Sequence, residues 1–328
     1  MVFPVFSVTS VVNIAFYKFI FAPQHVTPQN THLPIHPNAL TMSSHAVSLS
    51  AELADTVSTN VAVALAEDIG SGDLTARLIP AHATARAAVV CREKAILCGQ
   101  AWFEACFHQI DPSVAIHWYT RDGSCIGVDQ MLCEIHGNAR ALLTAERPAL
   151  NFLQTLSATA TITRRYVDAI AGTGAMVMDT RKTLPGLRLA QKYAVLTGGG
   201  ANQRSGLYDG ILIKENHIAA AGGIAQVLTT AAQVAGGVPV QIEVENIGEL
   251  QQALDAGARL ILLDNFTLDA LREAVKLTAG RAVLEASGNI SLDTIRSVAE
   301  TGMQRISVGG LTKHIQAVDL SMRFEWAV

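Results

Sequence analysis

Pro239-Val240-Gln241-Ile242-Glu243-Val244 is followed, after the helix-compatible segment 247–256, by Arg259-Leu260-Ile261-Leu262-Leu263-Asp264. Two short apolar runs, ending near Glu243/Glu245 and at Asp264, flank one segment of helical pattern. The unit recurs on both sides. Apolar runs stand at 175–179, 210–213, 239–244, 259–263, 281–285 and 304–308, with helix-compatible segments at 217–235, 247–256, 267–278 and 291–301. Such alternation predicts parallel strands joined by crossover helices. The runs read as apolar on both faces, as buried parallel strands should be. Six units, and no Gly-rich dinucleotide fingerprint after the first strand, favour a β/α (TIM-like) barrel over a doubly wound sheet.

Upstream the texture changes. A helical spacing carries Leu53, Val57, Val61, Ala64 and Leu65 through Ala51–Asp68. Ala85–Cys91, Ile116–Tyr119 and Met131–His136 read as strands, with turns at Asp111-Pro112 and Asp122-Gly123. Thr144–Ala171 is a long helical pattern in which Pro148 is expected in the tolerated first turn. The fold class is therefore α/β, with an N-terminal α/β sandwich over 46–158 and a barrel over 159–315. The length of 328 residues, 50% hydrophobic and 16% charged, accommodates both with a large buried core.

Residues 1–22 are apolar but carry Lys18 in their interior, which fits neither a signal peptide nor a clean membrane span. Residues 23–45 are polar and rich in Pro, His, Asn and Thr. The expectation is that 1–45 form a disordered or artefactual extension, with the functional protein starting near Met42; a targeting segment is the alternative. The five cysteines, Cys91, Cys98, Cys106, Cys125 and Cys133, contain no CxxC pair and read as reduced thiols of a cytoplasmic protein.

Charge is the next signal. Between Arg147 and Lys214 nine Lys/Arg stand against Asp168, Asp179 and Asp209, in a chain whose net charge is −4. An acidic chain with one local basic surface argues against nucleic-acid binding and for a small polyanion. Arg147, Arg181, Arg204 and Lys214 could hold carboxylates. Glu243 and Asp264, ending successive strands, could hold Mg²⁺ with a phosphorylated substrate, act as an acid/base pair, or neutralise the basic cluster. Ser287-Gly288-Asn289 and Ser307 through Thr312 each follow a strand and precede a helix, where backbone N–H groups can cradle a phosphate. Gly198-Gly199-Gly200 reads equally as a hinge, a helix stop or a cradle. His217 and His314 have no partner spacing, and no His/Cys cluster suggests zinc.

The residues placed so far resemble the quinolinate phosphoribosyltransferase family. The matching stretches are Glu67-Asp68-Ile69-Gly70 with Gly72-Asp73-Leu74-Thr75, Ala145 through Phe152, Asp179 through Gly186, Leu212 through His217, Glu243 through Asn246, Leu263 through Phe266, Ser287 through Asn289 and Ser307 through Thr312. The resemblance implies an open barrel, with residues 316–328 returning as a tail to the N-terminal domain. It implies conversion of quinolinate and phosphoribosyl pyrophosphate to nicotinate mononucleotide, pyrophosphate and CO₂ with Mg²⁺, in NAD biosynthesis. Arg181, Gln203, Arg204 and Lys214 would bind quinolinate, and Arg147 would reach in from a neighbouring subunit of a homodimer or hexamer. Lys182, Glu243 and Asp264 would handle phosphoribosyl pyrophosphate and its metal, with Lys182, Lys214, Glu243 and Asp264 as the catalytic group. Ser287, Gly288, Asn289, Gly309, Gly310 and Lys313 would hold the 5′-phosphate. The alternatives are a phosphoribosyltransferase for another aromatic acid, or a barrel that binds phosphate without catalysis. No membrane partner is implied. The family's Gly-Gly-Gly-x-Asn-His-Arg reads here with Gln203 in place of His. Restoring His is expected to tighten quinolinate binding, more at pH 6 than at pH 8.

Overall fold

The computed structural model describes residues 50–326, so the expectation for residues 1–45 lies outside the described residues. Helix α1 (Ala51–Ile69) opens on Ser50, whose hydroxyl accepts from the Leu53 N–H and supplies one of the helix's missing partners. Then come β1 (Thr84–Cys91), β2 (Ala95–Ile96), α2 (Gln100–Ile110), β3 (Ala115–Trp118), β4 (Cys125–Ile126) and β5 (Met131–Asn138). Helix α3 (Ala139–Ala169) follows directly, capped by the Asn138 side chain, which accepts from Arg140 N and Ala141 N.

Two sequence expectations shift at α3. It begins five residues before Thr144, so Pro148 lies in its interior, buried, and not in its first turn. It also runs through the expected boundary at 158/159. The helix is amphipathic on two sides: Leu142, Leu150, Leu153 and Leu156 enter the N-terminal core, while Tyr166 enters the barrel core.

The second half is a regular series: β6 (Met176–Met178), α4 (Arg188–Thr197), β7 (Ile211–Ile213), α5 (Glu215–Ala221), α6 (Ile224–Val234), β8 (Val240–Val244), α7 (Ile247–Asp255), β9 (Leu260–Asp264), α8 (Leu268–Thr278), β10 (Val283–Ser287), α9 (Leu292–Ala299), β11 (Arg305–Ser307), α10 (Gly310–Lys313) and β12 (Leu320–Trp326). The helix expected over 217–235 is two helices, because Gly222 (φ 84°) and Gly223 (φ 139°) take conformations open to glycine and costly for other residues. Among the described residues no helix is long and apolar enough to cross a membrane.

The six strands β6 to β11 form one parallel sheet in the order β6-β11-β10-β9-β8-β7. The first strand pairs with the last, but no ladder joins β6 to β7, so the barrel-like sheet is open there. A single bridge, Met178 to Ala201, lines that gap. A four-stranded antiparallel sheet, ordered β12-β1-β5-β3, belongs to the N-terminal half, and its edge strand β12 comes from beyond the barrel.

Side-chain alternation in the parallel strands corrects the expectation of two apolar faces. Ile242, Val244, Ile261, Leu263, Leu284, Ala286 and Ile306 are buried in the core under the helices. The intervening positions Gln241, Glu243, Asp264, Glu285, Ser287 and Ser307 point to the other, concave face. That face is polar on β8, β10 and β11, with Leu260 and Leu262 of β9 among the polar groups, and the candidate site is built on it.

Candidate active site

The segment after β6 starts from a buried ion pair. Asp179 is fully buried, and Lys192, on α4, is 2% exposed; their Nζ–Oδ1 distance is 2.6 Å. The same Nζ donates to the Gln203 carbonyl oxygen at 2.7 Å, and Gln203 N donates to Asp179 Oδ1 at 2.7 Å. Burial pushes the Asp179 carboxyl up to about 6, against the pull of Lys192 and the Gln203 N–H, and Glu285 adds to the rise. Burial also holds the Lys192 ammonium below its ordinary value, although Asp179 opposes this. Both directions say that the pair's removal from water outweighs its mutual attraction.

This pair pins two stretches of chain. Asp179 precedes Thr180-Arg181-Lys182, and Gln203 precedes Arg204. Arg188, at the start of α4, completes the frame: its guanidinium donates to Thr183 Oγ1 (3.1 Å), the Arg181 carbonyl (3.3 Å) and the Ser205 carbonyl (3.1 Å). Arg188 is thus committed to holding loops. Thr312 Oγ1 donates to the Lys182 carbonyl at 2.8 Å, tying the loop to α10.

The three remaining cations are unpaired. Among the described residues Arg181, Lys182 and Arg204 enter no ion pair. Arg181 Nε is buried without a hydrogen-bond partner. Arg204 donates to the Gly210 carbonyl at 2.9 Å, and burial, then the nearby Arg181 charge, lowers its pKa. Lys182 lies over Gly309: a Cβ added there would stand 3.2 Å from its Cδ. Half-buried and exposed cations that no carboxylate pairs at salt-bridge distance form an anion site.

Lys214 and Glu243 meet at the ends of β7 and β8, at 2.8 Å. Lys214 is 45% exposed and Glu243 11%. His217, which lacked a partner in the sequence, caps α5: its Nδ1 accepts from Lys214 N at 3.0 Å. Asp264, at the end of β9, accepts from Asn265 Nδ2 at 2.8 Å and is in register with Ser287. Glu243 and Asp264 therefore end neighbouring strands on one rim. Among the described residues no three His, Cys, Asp or Glu side chains gather as a metal-ligating group. Two carboxylates on one rim fit Mg²⁺ only as an ion shared with substrate phosphates, which complete its oxygen shell.

The phosphate-cradle residues follow β10 and β11. Gly288 (φ 106°) is packed against Asn265, whose Oδ1 would lie 2.2 Å from an added Cβ, so only glycine fits. Asn265 N donates to the Ser287 carbonyl at 2.9 Å, and Asn289 Nδ2 to Asn265 Oδ1 at 3.4 Å. Gly309 and Gly310 start α10; Lys313, at its end, is exposed. Gly198, the C-cap of α4, resolves part of the triple-glycine reading. An added Cβ would stand 2.5 Å from the Ala160 carbonyl, so the run stops the helix and lets it approach α3 closely.

One expected site residue is placed otherwise. The Gln203 side chain does not face the cations: its amide donates to Gln241 Oε1 at 3.2 Å and to the Glu285 carboxylate, inside the concave face. Arg147 stands exposed on α3, with no ion pair to the strand-end cluster. Sequence reasoning missed the two buried groups that organise the site, Lys192 and Glu285. A lysine inside an amphipathic helix and a glutamate inside an apolar run look like solvated residues. The signal available was their position, Lys192 just before Tyr193-Ala194-Val195 and Glu285 between Val283-Leu284 and Ala286.

Comparison with known proteins places this geometry. The family model "Quinolinate phosphoribosyl transferase, C-terminal domain" matches residues 159–323, and its N-terminal counterpart matches 73–157. A Bacillus subtilis protein described as a probable carboxylating nicotinate-nucleotide pyrophosphorylase is 42% identical over 257 residues, 78% of this chain and 89% of its own. A Nicotiana tabacum protein described as mitochondrial decarboxylating quinolinate phosphoribosyltransferase 2b is 38% identical, covering 80% of each chain. The solved nicotinate-nucleotide pyrophosphorylase from Francisella tularensis superposes with a TM-score of 0.81 at 45% identity, over 83% of this chain and 97% of that one. With both domain models matched and the concave face rimmed by unpaired cations, the chain belongs to the quinolinate phosphoribosyl transferase family.

Proposed function

We propose that this protein transfers the phosphoribosyl group of phosphoribosyl pyrophosphate to quinolinate and decarboxylates the adduct, giving nicotinate mononucleotide, pyrophosphate and CO₂. The observation that carries the reading is the set of uncompensated cations, Arg181, Lys182 and Arg204, beside the half-exposed Lys214. A pyridine dicarboxylate and a pyrophosphate bring the negative charge that this rim lacks.

The chemistry suits a site without a dedicated base. The pyridine nitrogen carries a free lone pair at pH 7. It attacks the anomeric carbon as the bond to pyrophosphate breaks, and that bond's electrons leave with the pyrophosphate. Arg181, Arg204 and Lys214 hold the two carboxylates and so orient the ring; each charge-assisted hydrogen bond contributes about 1.5–3 kcal/mol. Lys182 lies where charge develops on the departing group. Loss of CO₂ then leaves an electron pair at C2, stabilised by the pyridinium, and a proton ends there.

Glu243 and Asp264 would hold Mg²⁺ with the phosphoribosyl pyrophosphate. When bound, the ion neutralises the leaving pyrophosphate. For Glu243 to take part, Lys214 exchanges it for a substrate carboxylate, which its exposure permits. Ser287, Gly288, Asn289, Gly309, Gly310 and Lys313 would receive the 5′-phosphate through backbone N–H groups and the lysine charge. Arg147, exposed and unpaired, would complete the pocket of a second subunit in a homodimer with shared sites. The protein would act in the cytoplasm.

The test is formation of nicotinate mononucleotide by purified protein supplied with quinolinate, phosphoribosyl pyrophosphate and Mg²⁺, with nicotinate as the competing substrate. Turnover of nicotinate and not quinolinate would overturn the reading.

A further inference from the structure

The concave face contains a buried carboxylate that the proposed chemistry does not use. Glu285 is fully buried at the centre of β10. No cation pairs with it among the described residues. Its carboxylate accepts from the Gln241 amide at 3.0 Å, from the Gln203 amide, and from the Ser307 hydroxyl. Burying a carboxylate among neutral donors opposes folding unless each lone pair is used. Three segments of chain, β8, β11 and the Ala201–Arg204 stretch, converge on β10 to use them.

We infer that Glu285 is a positioning residue for the carboxylate-binding edge of the site, acting through Gln203; the inference rests on the function proposed above. Gln203 is the adaptor. Its amide is held by Glu285, while its main chain is held by Asp179 and Lys192. With both ends fixed, the next residue, Arg204, can leave in only one direction, beside Arg181. The segment needs this clamp because it lines the open side of the sheet, where a single bridge replaces a ladder. A displacement of about 1 Å in a substrate-orienting group can cost about a hundredfold in rate.

A carboxylate suits the task better than an amide of the same shape. Glutamine at 285 would put an NH₂ at one of two oxygen positions, both of which the Gln203 amide touches, so one of those contacts is lost, whereas the Ser307 hydroxyl can turn to accept. The weakest restraint is the flexible Gln203 side chain, since Gln241 and Ser307 stand on strands.

The experiment compares wild type, Glu285→Gln, Gln203→Met and the double variant. The readouts are steady-state kinetics, equilibrium quinolinate binding and thermal melting. Glu285→Gln should raise both KM and Kd for quinolinate about tenfold, the equivalent of one charge-assisted hydrogen bond. The KM for phosphoribosyl pyrophosphate should stay within about twofold. Gln203→Met should give the same split, and the double variant should be no worse than the weaker single variant, because both changes cut one linkage. Additive losses would overturn the route through Gln203. Equal rises in both KM values, with a matching fall in melting temperature, would reduce Glu285 to a structural role. If Glu285→Gln does not fold, Gln203→Met decides alone, and an unchanged quinolinate Kd overturns the inference. Wild-type protein that fails to bind quinolinate sinks the proposed function, whereas wild-type binding equalled by the variants sinks only this inference.

Discussion

Lys192→Met removes the cation from a fully buried carboxylate while keeping the length and apolar stem of the side chain. In the wild type, Nζ stands 2.6 Å from Asp179 Oδ1, with both groups shut from water. Breaking one side of such a pair costs about 3–5 kcal/mol, because the remaining charge is left uncompensated. For a chain of this size each kcal/mol lowers the melting temperature by about 2–4 °C, so a fall of roughly 10 °C is expected at pH 8. The pH dependence identifies the cause. Asp179 titrates at about 6 in the folded protein against an ordinary value of 3.8. A raised folded-state pKa contributes stability that is present below the unfolded value and is lost as pH rises through the folded one. Without Lys192 the folded value rises further, and at pH 5.5 the carboxyl is already neutral. The gap between variant and wild type should therefore shrink from pH 8 to pH 5.5. Differential scanning calorimetry at fixed protein concentration measures it. A gap below about 3 °C at pH 8, or one of equal size at both pH values, refutes the reasoning.

Lys214→Ala should abolish nicotinate mononucleotide formation and leave the melting temperature within about 4 °C, since a half-exposed ion pair contributes about 1 kcal/mol or less; near-wild-type turnover rejects the assignment. Gln203→His should not tighten quinolinate binding, because the ring would face Glu285 and not the cations. Its pKa should instead rise beside that carboxylate, adding stability that is full below about pH 6.5 and is lost as pH rises through the folded value. Melting curves at pH 6 and pH 8 show this, and a pH-independent gain in quinolinate affinity speaks against it. Co-expressed Arg147→Ala and Lys182→Ala chains, each nearly inactive alone, should recover about a quarter of wild-type activity if dimer sites are shared and pairing is random; confirmed heterodimers with no recovery would place both residues in one subunit's pocket.

The strand series was legible because each strand is short, apolar and followed by a helix-compatible segment. A buried parallel strand must satisfy all three requirements locally. The strand-end residues were legible for the same reason, since Lys214, Glu243 and Asp264 interrupt apolar texture. The polar interior was not. In Leu260-Ile261-Leu262-Leu263 both faces carry apolar residues, and nothing local distinguishes the concave face. The contact of Gln203 with Gln241 and Glu285 depends on register across three strands, which no window of sequence contains. The inward turn of Gln203 was hidden by its motif, which announces a ligand-facing residue. The start of α3 was misplaced by five residues, and Pro148 with it, because its cap Asn138 is itself the last residue of β5 and does not stand at the start of the obvious periodicity.

Strand β12 has a consequence for how this protein is made. It pairs with β1 over seven residues, from Ala85 opposite Trp326 to Cys91 opposite Leu320. The ribosome finishes β1 long before it reaches β12, and at about 5–20 residues per second the interval is roughly 10–50 s. Throughout that time β1 presents a bare row of N–H and C=O groups, and a neighbouring nascent chain could pair with it. The N-terminal sheet can close only after the barrel has been translated. Its final ordering is therefore post-translational, and fusions placed immediately after β12 burden the last strand to dock.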